Sequence, residues 1–446
     1  MTPPTRRRVL AVTGFSLVPL AGCLTGVDSD GLELATPEAT PDDDWSEPDW
    51  RPADARPTED DVHATTVVAD LEIPWDLTFA DDDAFLTERD GGVRRFDAEE
   101  LAETDEIPLG PDDGETILEG EDLPDRASPG EGGTLGIAVH PNYPDASELF
   151  VYYTIDDDGT ENRVVRYDLE TDELEAVLDG IPGATTHNGG RITFGPDGDL
   201  WVLTGDAEDP ALTQDPGSRA GAVLRVTPDG DPVSEPVDWG TDGDPRTYTL
   251  GHRNPQGIDF TPQGTPVLAE HGPAARDEVS ILRPGGNYGW DLVRGGPDDP
   301  EYDGYDEYDE ATPPVINTGP QTTWAPSGLA FYDDETIEAW TNHVFVAGLA
   351  SNALYAVALR PGVEEGDDSD SASDTDDTGT RYADEWLDDR FEATAHTLFE
   401  GDFGRLRHIE PGPDGSLYLL TSNRDGRAGD EFPLEDDDRI VRLDPA

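Results

Sequence analysis

Six times along the chain an apolar strand runs through a turn into a second apolar strand. The clearest copies are Arg191–Asp206 (RITFGPDGDLWVLTGD) and Ile409–Ser422 (IEPGPDGSLYLLTS), where apolar and polar positions alternate on either side of an Asp-Gly turn. Asp-Gly is a strong hairpin signal because both residues tolerate the positive φ angles of a tight turn. Looser copies occupy Asp76–Gly91, Gly136–Thr154, Gly257–Gly272 and Gly328–Leu349. Successive copies begin roughly 55–80 residues apart, more than the ~40–50 residues of compact blade repeats, so insertions lie between the strands and are expected on a binding face. No apolar stripe of helical period separates the hairpins, which argues against helices covering a parallel sheet. The pattern predicts an all-β six-bladed β-propeller over 64–446. An irregular β-sandwich is the alternative, disfavoured because radial repetition leaves only short, protected edges.

Composition changes the picture outside that ring. The chain of 446 residues carries 101 acidic against 28 basic side chains, a formal charge of −73, and every basic residue is arginine. Self-repulsion on that scale calls for strong screening, which molar salt supplies by shortening the Debye length to about 3 Å. A halophilic setting is therefore expected. Nucleic acid is excluded as a partner, because phosphate recognition needs a basic face. At the N-terminus Arg6, Arg7 and Arg8 precede an apolar run from Val9 to Ala21, which reads as a twin-arginine export signal over residues 1–23. The run ends in Leu20-Ala21-Gly22-Cys23, which resembles a lipobox, and Cys23 is the chain's single cysteine. Internal disulfides are thereby excluded, and a lipid-anchored protein at the cell surface is expected, touching the membrane only through that lipid. Residues 24–63 are rich in Asp, Glu, Pro and Thr and read as an acidic disordered tether. A second acidic segment, 366–380, reads as a solvated loop insertion in the fifth repeat.

Four loops beside the hairpins carry candidate chemistry. Gly130-Glu131-Gly132-Gly133 approaches the second hairpin, and on its own is also readable as a flexible inter-blade turn. His187-Asn188-Gly189-Gly190 enters the third, where a histidine is equally readable as a structural hydrogen-bonding residue. Gly251-His252-Arg253-Asn254 enters the fourth, and Glu270-His271-Gly272-Pro273 leaves it, followed by Asp277-Glu278 and Asn287-Tyr288-Gly289-Trp290. Gly404-Arg405-Leu406-Arg407 enters the sixth, and strand alternation throws both guanidiniums to one side. In so acidic a chain that pair could also simply meet surface carboxylates.

Taken in order, IPWDLTF, TERDGGVRRF, GEGGTLGIAVHPNYP, HNGGRITFGPDGDLWVLTGD, GHRNPQGIDF, EHGPAARDEVSILRPGGNYGW, APSGLAFY and GRLRHIEPGPDGSLYLLT resemble the glucose/sorbosone dehydrogenases, from about Leu71 to Leu443. These are soluble aldose sugar dehydrogenases that use pyrroloquinoline quinone (PQQ). The resemblance implies a six-bladed propeller with the quinone over the central channel, oxidising an aldose at its anomeric carbon and passing electrons to an acceptor, either a quinone or a small redox protein. It assigns His187 as general base and Arg253 with Asn254 as the pair beside the quinone carbonyls. Glu131, Asp206, Gln214 and His271 would line the cofactor pocket, and Arg405 with Arg407 would grip cofactor carboxylates. The carbonyls of Gly272 and Pro273 would bind a cofactor-linked Ca2+, and Glu278 with Tyr288 a second, structural Ca2+. One departure stands out. Some members carry a lysine near the cofactor where this chain reads Gly348-Leu349-Ala350-Ser351. A calcium-dependent sugar lactonase and a non-catalytic binding propeller remain alternatives, and the paired arginines favour the dehydrogenase.

Overall fold

Asp197-Gly198 turns the chain between strands Ile192–Phe194 and Leu200–Leu203. Only the glycine takes a positive φ, 79°. Gly195 N–H donates to Asp199 O at 2.9 Å and Gly198 N–H to Gly195 O at 2.9 Å. The turn is thus a three-residue loop ending in a left-handed glycine, in place of the two-residue mirror-image turn that Asp-Gly suggests. Gly412, Gly415 and Ser416 repeat the arrangement in the sixth hairpin, with Gly415 at φ 81°.

The computed structural model describes residues 33–41, 45–105, 107–156, 159–297, 299–361 and 379–446. All six predicted hairpins form, each as the first two strands of a separate antiparallel sheet. Five sheets have four strands, and the fifth blade has a fifth strand, Thr380–Tyr382, at its edge. The innermost strands are Pro74–Ala80, Thr134–Val139, Ile192–Phe194, Pro255–Phe260, Pro326–Tyr332 and Leu406–Pro411. Each neighbours the next, and the sixth neighbours the first, so the ring closes. Closure is sealed by the chain ends: Val62–Val68 pairs antiparallel with Ile440–Pro445 as the outer strand of blade 6. Among the described residues helix is confined to Ala98–Glu103, N-capped by Asp97, and a few short 3-10 turns, as the missing helical period predicts. The core lies between blades, where apolar faces of neighbouring sheets meet. Trp75, Leu135, Phe150, Ile192 and Leu200 form one such layer between blades 1, 2 and 3.

The expectation of a disordered tether over 24–63 does not hold for its described part. Leu34–Ala446 is one packed unit. Trp50 is 8% exposed, packs edge-on against Phe331 with centroids 5.0 Å apart, and donates its indole N–H to Gln263 Oε1 at 2.9 Å. Trp45 packs against Phe391, and Ala39 bridges to Asp238. Two tryptophans suffice to bind an otherwise polar segment, since an aromatic side chain buries some 150–250 Å². The export signal and Cys23 lie outside the described residues, as does nearly all of the acidic insertion at 366–380.

Candidate active site

An antiparallel hairpin brings the residues just before its first strand and just after its second to the same end. That rule gathers the loop motifs. His187 precedes and Asp206 follows the hairpin of blade 3, Arg253-Asn254 precede and His271-Gly272 follow that of blade 4, Glu131 precedes that of blade 2, and Arg405 and Arg407 open that of blade 6. All therefore meet at one mouth of the ring.

His187 sits at φ 58°, and Gly189 and Gly190 follow at 61° and 109°, a run that folds the backbone back on itself before the strand. A Cβ on Gly189 would stand 2.5 Å from Leu203 O, so only glycine fits there. The fold-back places His187 Nδ1 2.7 Å from Asp206 Oδ1. Asp206 is 1% exposed and accepts further bonds from Glu208 N–H at 2.9 Å and Trp290 Nε1–H at 2.8 Å. A carboxylate only accepts, so Nδ1 carries a proton and, in the neutral ring, Nε2 has the lone pair. The His187 side chain is 21% exposed, which leaves that lone pair open to the mouth. Glu131 accepts the His187 backbone N–H at 3.2 Å. Burial opposes ionisation of Glu131, but the ion pair with Arg427 overcomes it and holds the carboxyl down at about 2.

Around this pair lies a cationic cradle whose donors are not all used. Asn254 is fully buried and accepts Gly189 N–H at 3.0 Å through Oδ1, while its Nδ2 has no partner. Arg253 Nε, His271 Nε2 and Arg407 Nε are likewise buried without partners. Burial lowers the proton affinity of Arg253 and drags Arg407 down to about 9, with neighbouring Arg405 and Arg89 adding to the latter. Burial also brings His271 down to about 4, so it is neutral near pH 7. Unpartnered buried donors are rare in folded proteins, and three of them, on Arg253, Asn254 and Arg407, at one mouth in a chain of charge −73 form a site for an acceptor-rich anion. The carboxylates and carbonyls of a tricarboxylated quinone fit that description.

Arg405 differs from its neighbour. Its Nε and NH2 groups lie 3.0 and 2.9 Å from Asp425 Oδ2, and NH1 donates to Leu349 O at 3.0 Å. Its charge is already balanced, and it reaches into the Gly348–Ser351 stretch through Leu349. Arg407 donates only NH1, to Gln256 and Ser327 at 3.1 and 3.3 Å.

The loop after His271 is tightly folded, and Pro273 O accepts Ala275 N–H at 2.7 Å. Gly272 N–H donates to Asp277 Oδ1 at 2.8 Å, and a Cβ on Gly272 would meet Ala275 O at 2.1 Å. Asp277 Oδ2 in turn accepts Trp324 N–H at 2.6 Å and Ala325 N–H at 2.9 Å, tying the loop to blade 5. Among the described residues no group of three or more His, Cys, Asp or Glu is arranged to hold a metal. A calcium ion on the Gly272 and Pro273 carbonyls therefore fits only as a shared site, completed by oxygens of the cofactor and water.

Two sequence assignments need correction. Gln214 does not line the mouth freely: Oε1 accepts Ala35 N–H at 3.1 Å, and Nε2 donates to Trp290 O at 2.8 Å. Glu278 and Tyr288, assigned to a second calcium, are engaged by partners within the protein. Tyr288 is fully buried and donates its hydroxyl to Ile281 O at 2.8 Å, and the Glu278 carboxylate is taken by Arg294 NH1 at 2.6 Å, Asn317 and Tyr305. Asp425 and Arg427 are site residues that the sequence reading missed, and Arg294, also missed, pairs behind the site with Glu270. A separate cavity of about 1080 Å³ lies between the N-terminal segment and blades 3 and 4. Within its lining Arg225 pairs with Asp197 and Asp199, and none of the loop motifs above reaches it.

The family model for glucose/sorbosone dehydrogenases matches residues 71–430. The chain is 28% identical over 377 residues to the aldose sugar dehydrogenase YliI of Escherichia coli, covering 80% of this chain and 89% of that one. Among solved structures it is similar to a putative oxidoreductase (glucose dehydrogenase) of Thermus thermophilus, at 34% identity and TM-score 0.66, covering 86% and 99% of the two chains. The PQQ-bound aldose sugar dehydrogenase of Streptomyces coelicolor is 30% identical with TM-score 0.63, covering 87% and 99%.

Proposed function

The chain belongs to the glucose/sorbosone dehydrogenase family, and from that premise we propose that it is a PQQ-dependent aldose sugar dehydrogenase oxidising the anomeric carbon to the lactone. The observation that carries the reading is the set of three buried, unpartnered donors at one mouth of the ring, on Arg253, Asn254 and Arg407, with the unpartnered Nε2 of His271 beside them. When bound, the quinone supplies the two-electron acceptor that takes the C1 hydride.

His187 Nε2 takes the proton of the anomeric hydroxyl, and the Asp206 carboxylate holds the ring in the required tautomer and balances the imidazolium that forms. Its open edge lets the proton leave to solvent after each turnover. Arg253 and Asn254 present fixed donors where negative charge develops, and because they are buried no solvent reorganisation is needed at that moment. Arg407 brings an unbalanced buried charge suited to a cofactor carboxylate, with Arg405 in support. The Gly272 and Pro273 carbonyls would hold calcium as hard oxygen ligands, and the ion would add Lewis-acid polarisation.

The twin-arginine pattern and Cys23 support an exported, lipid-anchored enzyme, and the acidic composition supports a saline exterior. Chelator-treated apoprotein in molar salt, supplied with an aldose and an artificial dye, should reduce the dye only when PQQ and calcium are both added. Dye reduction without the cofactor, or lactone hydrolysis without dye reduction, would overturn the reading in favour of another enzyme class.

A further inference from the structure

Behind the mouth, blade 4 buries a group of charges that the proposed reaction does not use. Arg294, Glu270, Glu278 and His252 all have fully buried side chains. The Arg294 guanidinium bridges the two carboxylates, NH1 to Glu278 Oε2 at 2.6 Å and NH2 to Glu270 Oε2 at 3.3 Å, and NH2 also donates to His271 O at 3.2 Å.

Glu278 is engaged on both carboxylate oxygens. Oε1 accepts from Asn317 Nδ2 at 2.8 Å and the Tyr305 hydroxyl at 3.0 Å, and Oε2 lies 3.2 Å from that hydroxyl besides its bond to Arg294. A carboxylate offers about four acceptor positions, and three separate donors, one of them a guanidinium, already engage both oxygens. The backbone carbonyl of Tyr288, the other group assigned to a second metal, already lies 3.0 Å from the Tyr305 hydroxyl. Glu270 is equally committed: Oε1 faces His252 Nδ1 at 3.1 Å, and Oε2 accepts Arg253 N–H at 2.8 Å. A calcium ion needs six to eight oxygens at 2.3–2.6 Å, and here a guanidinium stands between the two carboxylates.

We infer that Arg294 is a built-in cation that takes the place of a structural metal ion in blade 4, so that this propeller folds and holds its shape without calcium. Two buried carboxylates side by side require a positive charge between them. A side chain supplies it permanently, whereas an ion would be in exchange with the medium. Any calcium the enzyme takes up is then of one kind, the ion at the Gly272-Pro273 carbonyls, and chelation disables the cofactor site without unfolding the scaffold.

The test uses the full apoprotein in molar KCl, which screens the surface carboxylates. Wild type should melt at the same temperature in EDTA and in millimolar calcium, and equilibrium dialysis with calcium should detect no bound ion that Glu278→Gln removes. Arg294→Ala should melt several degrees lower in EDTA and regain part of that loss with calcium, because it opens the carboxylates to an ion. If that variant fails to fold, the wild-type and Glu278→Gln comparison still decides. A wild-type calcium ion bound without cofactor and lost in Glu278→Gln would overturn the inference, as would a wild-type melting temperature that falls in EDTA and recovers with calcium.

Discussion

The indole of Trp290 donates to Asp206 Oδ2 at 2.8 Å, on the carboxylate oxygen that His187 does not use. Asp206 therefore cannot rotate away from the histidine without leaving a buried donor unpaired. Asp206→Asn keeps the shape but lets an amide N–H face Nδ1, which moves the imidazole proton to Nε2 and removes the base. A fall in kcat of about 10²–10⁴-fold is expected for Asp206→Asn and for His187→Ala, with cofactor affinity little changed in steady-state assays paired with titration.

Arg407 and Arg405, alike in sequence, should separate in experiment. Arg407→Ala removes an uncompensated donor and should weaken PQQ binding by about 1.5–3 kcal/mol. Arg405→Ala leaves Asp425 without its partner, so its main effect should be a lower melting temperature and a smaller loss of affinity. Isothermal titration of the quinone, with thermal melts of both variants, checks the ranking.

His271 is kept neutral by burial, its proton affinity lowered from 6.5 to about 4. In that window the unfolded chain binds a proton that the folded chain refuses, so this residue's contribution is present above pH 6.5 and lost as pH falls towards 4. Relative to His271→Gln, wild type should lose up to about 1.4 kcal/mol per pH unit across the interval. Urea titrations of the two apoproteins at several pH values, at constant high salt, read the difference directly.

Charge predicts a salt requirement for the whole domain. A formal charge of −73 is unscreened on dilution, and self-repulsion then opposes the compact state. Circular dichroism during desalting should show loss of the β spectrum, regained on returning to molar salt.

Trp50 reports on the N-terminal segment. Trp50→Ala should cost about 3–5 kcal/mol in urea denaturation, the usual penalty for emptying a buried indole site. A free tether would give no change.

What was legible in the sequence was local. Alternation of period two and Gly-bearing turns are written within a dozen residues, so all six hairpins, and hence the ring, could be read directly. The same hairpins place His187 beside Asp206 and Arg253 beside His271, since a hairpin fixes which flanking residues meet. Long-range partners were not legible. Gln214 is held by Ala35, 179 positions away, and Glu131 by Arg427, 296 positions away. Arg294 lies in a turn-rich stretch with no periodic signal, and nothing nearby marks it as the partner of Glu270 and Glu278. The segment before Val62 was misread because averaged composition hides Trp45 and Trp50, whose burial decides its fate.

The most direct test of the account is a single-turnover experiment on the quinone itself. Apoprotein loaded with PQQ and calcium in molar salt is mixed anaerobically with an aldose, and the absorbance of the bound oxidised quinone is followed. The account predicts rapid bleaching in wild type, and in His187→Ala full cofactor binding with bleaching slowed by about 10²–10⁴-fold. Failure of the wild-type protein to bind the quinone, or bleaching at the wild-type rate without His187, would contradict it.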